Sequence, residues 1–160
     1  MIKINFVCWG NICRSPMAEF VLKKMVEERG MADQFYICST AISSEEIWNG
    51  VGNPVYPPAR EELSRHGISC AGKRATQLVK SDYDKYDYII GMESMNLRYI
   101  NRICGHDVDK KVSKLMDFTN EGGNIGDPWY SGDFRGVYRQ IERGCAGLLE
   151  HLERTGEIWK

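Results

Sequence analysis

The chain changes its hydrophobic period almost at once, and that change limits the folds open to it. Ile2 to Val7, IKINFV, is a short β-branched and aromatic run ending at a turn with Gly10 and Asn11, the pattern of a buried strand. From Pro16 to Gly30 the spacing is helical: Met17, Val21 and Met25 form one apolar row and Ala18, Leu22 and Val26 the next. Glu19, Lys23, Lys24, Glu27 and Glu28 face away. Ser15 is a good N-cap, Pro16 suits the first helical position and Gly30 follows the end.

The alternation continues. Phe35 to Thr40 reads as a second strand, followed by a long loop, Ala41 to Pro57, that holds Trp48 and Tyr56. Helix resumes at Pro58 and closes at Gly67; Tyr86 to Met92 is a third strand, Ser94 to Ile103 a helix and Val112 to Met116 a weaker fourth strand. Phe134, Val137, Tyr138, Ile141, Cys145, Leu148, Leu149 and Leu152 recur with helical spacing along a last helix. Strands and helices in this order predict an α/β fold: one domain over residues 1–160 with an open, parallel, four-stranded sheet and helices on both faces, doubly wound in the flavodoxin-like manner.

Such sheets bind ligands beyond the carboxyl ends of their strands, and VCWGNICRSP, Val7 to Pro16, occupies the first of those junctions. A strand-loop-helix junction presents unpaired N–H groups and the positive end of a helix dipole, which attract an anion. Gly10 lets the loop turn tightly and Asn11 tolerates a left-handed conformation, so Trp9, Gly10, Asn11, Ile12, Cys13, Arg14 and Ser15 can curl into a phosphate-sized cup. Arg14 adds a planar fork for two phosphate oxygens. The field that holds phosphate also favours thiolate over thiol, which makes a cysteine placed like Cys8 a nucleophile. Ser15 either donates its hydroxyl to that sulfur or caps the helix.

The bulk properties narrow the partners. A formal net charge of -1 gives no general pull toward nucleic acid or anionic lipid. Six cysteines (8, 13, 38, 70, 104 and 145) are spread too thinly for a disulfide scaffold, and the N-terminus carries no signal-like apolar stretch. A soluble, reducing, cytoplasmic setting is expected, without membrane or nucleic-acid partners. Neither G-x-G-x-x-G nor G-x4-G-K-[ST] is present, and no clustered ligand set suggests a metal or other cofactor.

V-C-x-G-N-x-C-R-S-P at Val7 to Pro16, together with Asp127-Pro128-Trp129-Tyr130 near the C-terminus, resembles the low-molecular-weight protein tyrosine phosphatase family, and GISCAGKRATQL and YDYIIGMESMNL extend the likeness through the middle. The resemblance implies a hydrolase acting on tyrosine-phosphorylated proteins or peptides, as a monomer or weak homodimer, with inorganic phosphate as product. Cys8 is then the nucleophile, Arg14 the phosphate clamp and Asp127 the general acid and later base. Trp9, Trp48, Trp129 and Tyr130 are candidates to wall an aromatic slot, although Trp48 is equally readable as packing or surface. By the same resemblance Ser39 bonds Asn11 to hold the loop, and Cys13 either forms a reversible disulfide with Cys8 or simply packs. Two departures stand out: Cys38-Ser39-Thr40-Ala41 lacks the family's usual glycine, and Gly72 replaces a histidine of mammalian members.

Three rival readings share these residues. A protein-arginine phosphatase tends to carry threonine after the loop asparagine, where this chain has Ile12. A thiol-dependent arsenate reductase needs a further cysteine relay, and Cys70 stands alone in mid-chain. A non-catalytic phosphoprotein-binding redox sensor has no need of Asp127.

Overall fold

The computed structural model describes residues 1–158; residues 159 and 160 of the expected single unit lie outside the described residues. In chain order the elements are β1 (Ile2–Cys8), α1 (Arg14–Glu28), β2 (Phe35–Ala41), β3 (Ile47–Trp48), β4 (Val51–Gly52), α2 (Pro57–Arg65), α3 (Asp82–Lys85), β5 (Tyr88–Gly91), α4 (Ser94–Cys104), β6 (Val112–Lys114), α5 (Pro128–Ser131) and α6 (Phe134–Arg154). Two 3-10 turns, Ala32–Gln34 and Leu115–Phe118, complete them. The main sheet has four strands in the order β2-β1-β5-β6, all parallel. The α/β, doubly wound expectation therefore holds. The order reverses beside β1, so the first strand sits centrally and its carboxyl end lies at the switch point.

Period-2 alternation sends the side chains of β1 to opposite faces. Ile4, Phe6 and Cys8 join the larger core under α1, α2 and α6, whereas Val7 packs with Ile89, Ile100 and Tyr83 on the other side. Within α6, Gly147 permits close contact: a Cβ built there lies 2.2 Å from the carbonyl oxygen of Phe118. A helix interior accepts glycine's entropic cost when a backbone must come that near.

Several local expectations change. The first helix starts at Arg14 rather than Pro16; Cys13 takes the N-cap position and no side chain caps it, so Ser15 is not a cap. Glu19, expected to face water, is buried. The long loop contains the β3-β4 hairpin, whose Asn49 and Gly50 have φ of 50° and 78°, as an Asn-Gly two-residue turn requires. The third strand is confined to Tyr88–Gly91, with α3 ahead of it, and the fourth stops at Lys114 because Leu115–Phe118 turn into a 3-10 helix. Among the described residues no helix is long and apolar enough to cross a membrane.

Candidate active site

The site begins where β1 runs out. Cys8 still pairs with Ala41, and its carbonyl and that of Trp9 accept the N–H groups of Ile42 and Ser43 at 3.0 Å each, so the sulfur starts from a fixed backbone. Beyond it Asn11 adopts φ 58°, the left-handed conformation that reverses the chain before α1. Among the described residues the N–H groups of Gly10, Asn11, Ile12 and Cys13 have no partner within the protein. They are the donors available to an anion held at the start of α1.

Behind the loop, the hydrogen-bond directions follow from one buried carboxylate. Glu19, 4% exposed, can only accept, so the Ser39 hydroxyl donates to it at 2.6 Å. Ser39 Oγ in turn accepts from Asn11 Nδ2 at 2.9 Å, and the same nitrogen donates to Ser15 Oγ at 2.7 Å. Asn11 Oδ1 receives the Thr76 N–H at 3.1 Å, which agrees with that orientation of the amide. Ser15 Oγ also lies 3.0 Å from Cys8 Sγ, a contact in which either atom can donate. The Ser15 N–H also reaches the sulfur, at 3.4 Å. Lys23 at 2.5 Å and Lys73 at 3.4 Å balance Glu19, and Lys73 Nζ donates to the Ser39 carbonyl at 2.8 Å. Lys73 thus supports the network beside Gly72.

Arg14 is almost wholly buried and its fork is held from the far wall. Its Nη1 donates to the Ile125 carbonyl at 2.8 Å and lies 3.3 Å from Glu93 Oε2, while Nη2 is 3.7 Å from Asp127 Oδ2. Asp127 precedes α5 and accepts the Trp129 N–H through Oδ1 at 3.0 Å. Cys8, Arg14 and Asp127 therefore line one cavity of about 980 Å³, with Trp9, Trp129 and Tyr130 among its walls. Trp48 does not line it; the hairpin carries that ring into solvent at 71% exposure. Cys13 also lines the cavity, and both it and Cys8 are free thiols. Burial, reinforced by neighbouring Cys8 and Asp127, pushes the Cys13 thiol well above its usual value.

The cavity includes residues the sequence did not single out. Tyr99 meets Trp9 edge-on at 5.3 Å, Glu45 accepts from Trp9 Nε1 at 3.1 Å, and Glu46 and Glu93 complete an acidic side. Cys70 is buried in the core under α1, apart from this lining.

A family model described as low molecular weight phosphotyrosine protein phosphatase matches residues 3–157. The chain belongs to that family. This phosphatase is 41% identical over 155 residues to the low molecular weight phosphotyrosine protein phosphatase of Sus scrofa, spanning 93% of the chain and 94% of that protein. It is 33% identical over 160 residues to the low molecular weight protein-tyrosine-phosphatase YfkJ of Bacillus subtilis, covering 99% of the chain and all of that protein. The crystal structure of YfkJ aligns with a TM-score of 0.91 over 97% of the phosphatase and 96% of its own chain. A Drosophila protein described as an arginine phosphatase shares the fold too, at 29% identity and a TM-score of 0.82 over 94% and 97% of the two chains.

Proposed function

We propose that this phosphatase hydrolyses phosphotyrosine and small aryl phosphates through a phosphocysteine. The observation carrying the reading is that one cavity holds the Cys8 sulfur, the Arg14 guanidinium and the Asp127 carboxyl, with the Ser15 hydroxyl 3.0 Å from the sulfur. The Cys8 thiolate attacks phosphorus and forms an S–P bond as the P–O bond to the phenol breaks. Arg14 and the loop N–H groups receive the charge on the equatorial oxygens. Asp127 gives its proton to the departing phenolic oxygen and leaves the step as carboxylate. That carboxylate then takes a proton from water, whose oxygen displaces the sulfur and releases inorganic phosphate. Ser15 hydrogen-bonds the thiolate as it departs.

The walls fit an aromatic leaving group. Trp9, Trp129 and Tyr130 flank the cavity, and a phosphoserine side chain is too short to bring its phosphorus to a sulfur at the end of a buried strand. Cys13 acts as the redox partner: burial keeps it a thiol, so a peroxide oxidises Cys8 first, to sulfenic acid as the peroxide is reduced, and the Cys13 sulfur then attacks that sulfur, its proton leaving with the hydroxyl as water while the disulfide forms.

Steady-state hydrolysis of phenyl phosphate and of phosphotyrosine and phosphoarginine peptides tests the reading. Cys8→Ser should abolish turnover, and Asp127→Ala should lower it by about 10²–10⁴-fold, the range for a lost general acid. Full turnover by the cysteine variant rejects the mechanism, and preference for phosphoarginine rejects the substrate assignment. After peroxide, a thiol reductant should restore the wild type but not Cys13→Ser.

A further inference from the structure

Asp127 must stand at a fixed height above Cys8, yet the short helix behind it is poorly buried: Trp129 is 55% exposed and Tyr130 87%. Tyr56 supplies the missing support. Its backbone N–H donates to the carbonyl of Ile12 at 2.9 Å, tying it to the phosphate loop. Its ring lies 4.7 Å from that of Trp129, two residues beyond Asp127, and 6.1 Å from Phe134 at the start of α6. One residue therefore touches the loop that carries the nucleophile and the loop that carries the acid.

The backbone on both sides is stiff. Tyr56 precedes Pro57 and has φ -56° and ψ 133°, the extended geometry that proline imposes on its predecessor. Asp127 precedes Pro128 and is likewise extended, with φ -76° and ψ 115°. Between these two restricted positions the aromatic contact sets the spacing. Because Asp127 Oδ1 is bonded to the N–H of Trp129, a shift of the tryptophan moves the carboxyl with it. The ring does this work, since among the described residues the Tyr56 hydroxyl has no hydrogen-bond partner.

We propose that Tyr56 is a positioning residue for general-acid catalysis, bracing Trp129 so that Asp127 meets the leaving oxygen. The proposal rests on the reading of Asp127 as the acid. A misplaced acid matters most where the leaving group is poor, so it changes the ratio of kcat/KM between p-nitrophenyl phosphate and phenyl phosphate. A merely structural residue lowers both alike.

The experiment measures that ratio in the wild type, Tyr56→Ala, Tyr56→Phe, Trp129→Ala and Asp127→Ala. Tyr56→Ala should lower kcat/KM on phenyl phosphate roughly tenfold and on p-nitrophenyl phosphate about twofold, the partial loss expected of a displaced acid. Tyr56→Phe should keep the wild-type ratio. Trp129→Ala should widen the ratio as Tyr56→Ala does without altering α2, and the double variant should widen it no further. Equal losses on both substrates, failure of Phe to keep the ratio, or additive effects in the double variant overturn the brace. An unchanged ratio in Asp127→Ala instead overturns the acid assignment itself, and the brace with it.

Discussion

Glu19 decides which way the protons behind Cys8 point, although it never touches the cavity. As an acceptor only, it makes Ser39 a donor, and the rest of the chain through Asn11 to Ser15 follows. Glu19→Gln presents an amide that can donate, so Ser39 is no longer bound to one direction and two lysines lose their counter-charge. A loss of about 1–3 kcal/mol is expected from the disturbed buried network, read from urea unfolding, together with a roughly tenfold fall in kcat for an aryl phosphate. Ser39→Ala should do the same, and the double variant should lose less than the sum of the two because both break one network. Cys8, Arg14 and Asp127 were legible because short motifs carry them, and the structure brings all three to one cavity. Glu19 was not, since a glutamate beside lysine on an amphipathic helix reads as solvated. Its one signal was register: it falls four residues after Ser15, on the same face of α1.

The last sheet strand shows how an element is fixed by its turn. β6 has three residues, none fully buried, and its sequence gave only a weak strand pattern. What secures it is Asp107, which accepts from the Tyr83 hydroxyl at 2.6 Å and from the N–H groups of Lys111 and Val112 at 2.7 and 3.0 Å. Desolvation works against the Asp107 charge, and these hydrogen bonds outweigh it, so its carboxyl titrates below the ordinary value. A carboxyl depressed in the folded state stabilises above its unfolded pKa, near 4, and that contribution disappears as pH falls through the lower folded value. Asp107→Asn should therefore cost about 1–2 kcal/mol at pH 7, a difference that narrows steadily below about pH 4. Urea midpoints of both proteins across that range check it. The hairpin β3-β4 is the opposite case: it was read only as part of a long loop, because two-residue strands lack the alternation that reveals a ladder.

At the level of the whole molecule, the alternating pattern was enough to foretell the sheet, because four short strands alternating with helices admit few arrangements. The course of the Trp48 loop was not, since its ring has no core position to declare and ends in solvent. The centrality of β1 also divides the site in two. Its backbone is laddered to β2 and β5 along both edges, whereas the segment bearing Asp127 is a single helical turn at the surface. Amide hydrogen exchange should be slowest along Ile4–Val7, reporting only global opening, and fast around Trp129–Ser131. Cys8 thus shares the fate of the entire fold, whereas Asp127 keeps its place only through one surface turn and the Tyr56 ring that leans on it.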